Sequence, residues 1–200
     1  MNFFWIISFV IPPCLSESIE YLPFNIQVTF HLYQENNENW VSFTLQVPIE
    51  YKKVFGWIGI GIKNGFDPIN SGPVDFWVSI TDGSTFDMFK SGTDIPINDE
   101  DLGCVNNIES SYNETEDYSI YLWKRKFYTG DALCDLVLKQ NWPYVVVYEM
   151  GDLDAEGKIL KAFERYSGFE YIVFKNDYND DNGDERGMYG PWEEGLQQNF

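Results

Sequence analysis

Residue types that could support catalysis are scarce in this 200-residue chain, which has 32 acidic residues but only one histidine, His31. A Ser-His-Asp or Cys-His nucleophilic site would have to use His31. The sequence contains no Gly-x-Ser-x-Gly turn, no histidine cluster and no phosphate-binding glycine loop. Asp75 and Asp87 could form a carboxylate pair for glycoside hydrolysis, but the sequence does not give the separation on which that chemistry depends. We therefore expect no enzymatic activity.

Large aromatic side chains make ligand binding a stronger hypothesis. The ligand-binding candidates are flat rings and one guanidinium group: Trp57, Trp77, Tyr121, Trp123, Arg125 and Tyr148. Tyr121, Trp123 and Arg125 alternate along one predicted strand and share a face, which could be the wall of a pocket or a platform for a sugar. The competing interpretation is that these rings are packed in the core of a β-sheet protein.

One acidic segment has part of a calcium-binding pattern. Asp152, Asp154 and Glu156 place oxygens at positions one, three and five of an EF-hand-like loop, with Gly157 at position six. Position twelve is Phe163 rather than glutamate, so a solvated hairpin turn explains the segment better. The aspartates of residues 176–185 are explained more simply by an acidic tail. We therefore expect no bound metal.

The net charge of −19 restricts the classes of partner. A chain this acidic repels phosphate backbones and anionic membrane surfaces, and it has no basic stripe that would offset the repulsion locally. Nucleic acid is therefore excluded as a partner. The compatible partners are neutral ligands such as carbohydrate, cations including calcium, basic proteins, or a cofactor held in a pocket.

The N-terminal segment, residues 1–16, has the layout of a secretory signal peptide. An apolar run over residues 3–11 is followed by Pro12, Pro13 and the small-x-small triplet of residues 14–16. Nine residues of helix reach only about 14 Å, against a hydrocarbon thickness of about 30 Å, so a membrane-spanning anchor is the weaker alternative. We therefore expect a secreted or lumenal protein with no membrane-spanning segment after cleavage.

Secretion would give chemical roles to two further features of the chain. Removal of residues 1–16 discards Cys14 and leaves Cys104 and Cys134, an even pair that an oxidising compartment would join. The alternative is that both cysteines are buried thiols. Asn113 begins the sequon Asn-Glu-Thr within a polar run, so we expect a surface glycan at this residue.

Short alternating segments separated by polar turns predict an all-β fold. The predicted strands, about nine or more, are residues 24–33, 40–47, 55–62, 74–80, 85–89, 119–127, 133–140, 144–150, 159–165 and 170–174. Their regular spacing is typical of an antiparallel sandwich or a barrel. We expect one domain over residues 17–175, followed by an acidic tail with aromatic residues near its end over residues 176–200.

The glycine-spaced segment of residues 56–61 resembles the DOMON domain, named after the N-terminal region of dopamine β-monooxygenase. The DOMON pattern is a G-W-x-G-x-G strand, a turn and an apolar strand that opens with aspartate. The matching residues are Gly56, Trp57, Gly59, Gly61, Asp75, Asp87, Pro96, Asp99, Arg125 and the strand of residues 144–148 before Gly151. The resemblance implies an immunoglobulin-like antiparallel β-sandwich.

The same resemblance implies two ligand classes, haem b and carbohydrate. Haem-binding members ligate iron with a methionine, expected here near residues 69–71, and a late histidine, expected near residues 161–168; neither is present. His31 with Met88 or Met150 is the remaining possible pair. We therefore expect a non-enzymatic ligand-binding or recognition module without haem b, with carbohydrate as a candidate ligand. The alternatives are a structural or protein-interaction sandwich and, second, a haem-bound electron-transfer domain.

Overall fold

Twelve β-strands make up most of the computed structural model, which describes residues 16–66, 73–91 and 95–174. The strands are β1 Ser16–Leu22, β2 Ile26–Glu35, β3 Glu38–Pro48, β4 Trp57–Asn64, β5 Pro73–Ile80, β6 Thr85–Ser91, β7 Ile97–Asn98, β8 Glu109–Glu114, β9 Tyr118–Lys126, β10 Pro143–Leu153, β11 Ile159–Ala162 and β12 Gly168–Val173. Short 3₁₀ turns span Pro23–Asn25, Ile49–Tyr51, Asp99–Leu102 and Glu164–Tyr166. The predicted signal peptide, apart from Ser16, and the predicted tail lie outside the described residues.

The strands form two antiparallel sheets that pack face to face. The first sheet has the order β1-β2-β3-β9-β8, and the second has the order β11-β10-β4-β5-β6-β7, with β12 paired to β10. This arrangement confirms the predicted all-β antiparallel sandwich of about nine or more strands. Among the described residues there is no helix long and apolar enough to cross a membrane.

The main core lies between the sheets and follows the alternation read from the sequence. Every second residue is buried along β9, from Ile26 to Phe30 in β2 and from Val41 to Val47 in β3, because those strands have one face on the core and one on solvent. The inward residues of the three strands include Ile26, Val28, Phe30, Val41, Phe43, Leu45, Tyr121 and Trp123. The first sheet therefore has one apolar face that packs on the core and one more polar face that is exposed to solvent.

The second sheet is buried on both faces around β4 and β5. The outer side carries a separate apolar cluster formed by Trp57, Val74, Phe76, Val78 and Met88. Seven of the eight residues of β4 are buried, and six of the eight residues of β5 are buried. Continuous burial explains why these strands are more apolar than a strand with one solvated face.

Two of the predicted assignments need correction. Residues 133–140, predicted as a strand, form the irregular connection between β9 and β10. Their backbone groups bond elsewhere: Leu136 N–H donates to the Asp75 carboxylate at 2.9 Å, and Leu138 N–H donates to Phe127 O at 2.9 Å. Conversely, β8 was not predicted, because an edge strand with the sequence ESSYNE lacks the apolar alternation of a half-buried strand.

Cys104 and Cys134 form a disulfide with a Cα–Cα distance of 6.4 Å, as the sequence predicted. The bond joins the turn after β7 to the β9–β10 connection. Asn113 lies on the exposed part of the edge strand β8, inside the loop that the disulfide closes. The sequon is therefore sterically accessible.

The glycines of β4 are needed because of the close approach of Phe76 on β5. A Cβ on Gly59 would meet the Phe76 ring, and a Cβ on Gly61 would meet that ring and Val74. We expect Gly59→Ala to lower the free energy of unfolding by about 1–3 kcal/mol, because overpacking a filled core forces side chains off their rotamers. Urea denaturation followed by tryptophan fluorescence measures the change.

A compensating substitution isolates this contact. Phe76→Leu removes ring atoms that the new methyl group would meet, so Gly59→Ala should be less damaging in the Phe76→Leu background than in the wild type. Equal stabilities of the wild type and Gly59→Ala would contradict the close-approach explanation.

Candidate functional site

A buried arginine connects the two sheets. Arg125 on β9 is fully buried, and its Nη1 donates to Oδ2 of Asp75 on β5 in the opposite sheet. Its Nη2 donates to Leu136 O, and its Nε donates to Lys126 O at 3.1 Å. Because Leu136 N–H also donates to Asp75 Oδ2, the guanidinium, the carboxylate and the β9–β10 connection form a closed set of hydrogen bonds.

Four buried aspartates surround this arginine and come from four separate segments. They are Asp75 on β5, Asp87 on β6, Asp99 in the 3₁₀ turn after β7, and Asp135 in the β9–β10 connection; we call them the aspartate cluster. Their residue exposures are 3%, 2%, 1% and 7%, respectively. One oxygen each from Asp75, Asp87 and Asp135 lie within 4.8 Å of one another.

Hydrogen bonds satisfy only part of the cluster. Asp87 Oδ2 accepts from Asn107 N–H at 2.8 Å, and Asp135 Oδ2 accepts from Asn107 Nδ2 at 2.6 Å. Oδ1 of Asp75, Oδ1 of Asp87 and both carboxylate oxygens of Asp99 have no hydrogen-bond partner among the described residues. Buried carboxylate oxygens are normally paired, so four unpaired oxygens in one place call for a chemical explanation.

The charges of the cluster are unbalanced. The pKa values of Asp75, Asp87 and Asp99 are raised to about 7 each, chiefly by burial and also by the charges of neighbouring aspartates, against the lowering effect of Arg125. Burial also raises the pKa of Asp135. One guanidinium therefore cannot keep four carboxylates ionised, and the cluster needs either protons or additional positive charge near neutral pH.

The raised pKa values make a specific prediction for stability in buffer that contains EDTA. The folded protein keeps the protons of Asp75, Asp87 and Asp99 up to about pH 7, whereas the unfolded chain releases them near the ordinary value of 3.8. The folded state therefore binds more protons between these values, so the free energy of unfolding should fall as pH rises through this window. Thermal unfolding at a series of pH values measures the fall.

A matched pair of variants separates the cluster from the general effect of the −19 net charge, which also disfavours the compact state as carboxylates ionise. Asp99→Asn should flatten the pH dependence, because it removes a buried titrating group. Asp101→Asn, which changes an exposed residue of the same turn, should leave the pH dependence as it is. A Tm that rises between about pH 4 and about pH 7 in the wild type would contradict the burial of ionisable carboxyls.

Most of the predicted ligand-binding rings are packed in the interior. Trp77 and Trp123 are 1% and 2% exposed, and their ring centroids lie 4.8 Å and 5.4 Å from the Phe43 ring, respectively. Tyr121 is also buried in this core, and Tyr148 is half-buried against it. These side chains fill the space between the sheets and do not form an open platform.

Trp57 and Arg125 do not share a face and therefore do not line one binding wall. Trp57 belongs to the outer cluster of the second sheet, and its Nε1 donates to Leu160 O at 3.1 Å. Arg125 faces the aspartate cluster, with its Cζ 5.9 Å from the centroid of the Trp77 ring. The structure thus brings Trp77, Trp123 and Arg125 together and leaves Trp57 on the opposite face of the second sheet.

The calcium candidates Asp152, Asp154 and Glu156 lie at the β10–β11 hairpin. The Asp154 carboxylate accepts hydrogen bonds from Glu156 N–H at 3.0 Å and Lys158 N–H at 2.7 Å. The side chain stabilises its own turn, so the hairpin explanation accounts for the pattern.

One residue of the aspartate cluster, Asp135, was not identified from the sequence. The signal that could have identified it was its position directly after Cys134.

The histidine and the two methionines that the structure describes do not fit a haem. His31 lies on β2 opposite the core-facing Val28 and Phe30, whereas Met150 is buried between the sheets and Met88 belongs to the outer cluster of the second sheet. At least one sheet therefore separates His31 from either methionine. The position expected for the family methionine, residues 69–71, lies outside the described residues and contains none.

Comparison with solved structures gives a similarity of fold. No family model matches the chain, and no curated protein matches it. Among solved structures, the chain is similar to the cytochrome b domain of pyranose dehydrogenase from Coprinopsis cinerea, with 10% sequence identity and a TM-score of 0.48 over 78% of this chain and 80% of that chain. The two-sheet architecture itself describes this chain as an antiparallel β-sandwich.

Proposed function

We propose that this protein is a non-enzymatic recognition module that contacts its partner through its outer surface, in a secreted or lumenal compartment. The observation that supports this proposal most directly is the burial of Trp77 and Trp123, at 1% and 2% exposure. Rings that pack on one another in a core cannot stack on a ligand without unfolding the sandwich. Recognition is therefore assigned to residues on the surface.

The outer face of the first sheet offers a surface of this kind. Tyr33 and Trp40 face each other across β2 and β3, with ring centroids 6.4 Å apart and an interplanar angle of 17°. Nζ of Lys124 lies 4.9 Å and Nζ of Lys126 lies 5.6 Å from the Trp40 centroid. Aromatic side chains are enriched at protein-recognition surfaces, and lysine ammonium groups over a ring are attracted to its face.

The disulfide and the charge support the proposed location and partner class. A disulfide between Cys104 and Cys134 persists in oxidising compartments, and the accessible Asn113 sequon is modified only on exported proteins. A net charge of −19 favours basic or neutral partners over anionic ones.

Trp123→Ala tests whether an interior ring binds carbohydrate. Because Trp123 is a core side chain, we expect its truncation to lower the free energy of unfolding by about 3–5 kcal/mol. Leu122→Ala on the exposed side of the same strand is the control and should change stability by less than about 1 kcal/mol. Chemical denaturation measures both changes.

A glycan array of the wild-type protein completes this test, and we expect no ligand there. A glycan that binds the wild type and is lost in a Trp123→Ala protein of unchanged stability would overturn the surface proposal in favour of a sugar pocket.

An absorption spectrum tests the haem alternative. The purified protein is mixed with haem b and passed through a desalting column. We expect no Soret band that shifts on reduction, because His31 lies on a different face of the sandwich from Met88 and Met150. A retained Soret band that His31→Ala removes would establish haem binding, whereas one unchanged by that substitution would identify a ligand set other than the histidine.

A further inference from the structure

We propose that the aspartate cluster binds one divalent cation, Ca²⁺ in preference to Mg²⁺, in the interior of the sandwich. The inference is independent of the surface recognition proposed above, because the cluster and the Tyr33–Trp40 face lie on different sides of the first sheet. It assigns a metal site to residues that come from four segments of the chain.

The first argument is geometric. Oxygens bound to one Ca²⁺ lie about 2.3–2.6 Å from the ion, so two of them can be at most about 5 Å apart. Oxygens of Asp75, Asp87 and Asp135 lie within 4.8 Å of one another, which meets this limit. Three carboxylates at this spacing can contact the same ion.

The second argument comes from Asp99, which is not one of those three. Its side chain is 99% buried, and neither of its oxygens has a hydrogen-bond partner among the described residues. Asp99 lies close enough to Asp75 and Asp135 for their charges to act on its carboxyl group. A buried carboxylate with two free oxygens, close enough for the charges of Asp75 and Asp135 to act on it, has what a bidentate ligand of a hard cation needs.

Charge supports the same conclusion. Four carboxylates and the guanidinium of Arg125 give a net charge of −3 when all are ionised, from −4 and +1. A divalent cation reduces this to −1 without requiring buried carboxyl groups to be protonated. Asp131, nearby in the β9–β10 connection, is already engaged, since its Oδ2 accepts from Val105 N–H at 2.9 Å.

The donor set selects the kind of metal. Carboxylate oxygens suit Ca²⁺, Mg²⁺ or Mn²⁺ rather than Zn²⁺ or copper, which prefer nitrogen and sulfur ligands. Asp75, Asp87 and Asp99 have free oxygens, and with Asp135, whose Oδ2 accepts from Asn107 Nδ2, the cluster offers four carboxylates, more than the one or two that Mg²⁺ normally takes. Cys104 and Cys134, which lie near the cluster, are not available as ligands because they are bonded to each other.

The surrounding structure holds the ligands before the ion arrives. Cys104 N–H donates to Asp99 O at 2.9 Å, and the disulfide connects that turn to the residue preceding Asp135. Asn107 bridges Asp87 and Asp135 through its N–H and its side-chain amide. A site assembled in this way needs little rearrangement on binding, which favours affinity.

Isothermal titration calorimetry of the full chain, stripped with EDTA and titrated with CaCl₂, tests the proposal. We expect one saturable Ca²⁺ per chain, weaker Mg²⁺ binding and a Ca²⁺-dependent rise in Tm. Asp99→Asn should weaken Ca²⁺ binding by roughly tenfold or more. Asp101→Asn, in the exposed part of the same turn, is the matched control and should bind like the wild type.

Tb³⁺ luminescence reports the location of the ion. Because Trp77 is paired with Asp87 in the β5–β6 register, tryptophan excitation should sensitise Tb³⁺ emission, and added Ca²⁺ should quench it.

The Asp99→Asn variant should fold, because the carboxylate has no hydrogen bond to lose; near-ultraviolet circular dichroism checks this. If it does not fold, Asp87→Asn, which keeps an acceptor for Asn107, takes its place and should show the same loss.

Three outcomes would overturn the proposal. The first is no saturable Ca²⁺ binding by the folded wild type. The second is several weak equivalents that are equal in the wild type and Asp99→Asn, since that result identifies surface counterions. The third is an equal loss in Asp99→Asn and Asp101→Asn, which would place the ion outside the aspartate cluster.

Discussion

The buried ion pair between Arg125 and Asp75 is the interaction on which the relative position of the two sheets depends. A guanidinium removed from water must find acceptors for its donors, and Arg125 finds them on β5 and in the β9–β10 connection. Because these partners come from the opposite sheet and from an irregular segment, the hydrogen bonds fix both with respect to β9. Hydrophobic packing would hold the sheets together without specifying this register.

The same arginine makes an acidic interior possible and leaves it incomplete. Asp75 and Asp135 are both paired with Arg125, and Asp87 and Asp99 are placed around the same single positive charge. Burial of uncompensated carboxylates opposes folding unless protons or a cation neutralise them. The interior of this sandwich therefore has a polar region, formed by Arg125 and the aspartate cluster, next to a region packed with aromatic rings. The two regions meet where Trp77 contacts Arg125.

Alternation along the chain was sufficient to predict an all-β fold, though not to choose between a sandwich and a barrel, because strands with one solvated face, such as β2 and β3, have a period of two that the sequence displays directly. It could not locate the site. A core ring and a sugar-stacking ring have the same sequence pattern, so the burial of Trp123 follows only from its neighbours across the sandwich. Asp99 and Asp135 are 36 residues apart in the chain, and only tertiary structure brings them together.

The Cys104–Cys134 disulfide links the assembly of the aspartate cluster to thiol oxidation. One cysteine follows the turn that carries Asp99, and the other directly precedes Asp135, so oxidation joins the two segments that complete the cluster. Apart from this bond, the two segments are joined by hydrogen bonds such as those from Val105 N–H to Asp131 Oδ2 and from Asn107 Nδ2 to Asp135 Oδ2. Reduction of the disulfide would therefore lower the stability of the part of the fold that brings the interior carboxylates together.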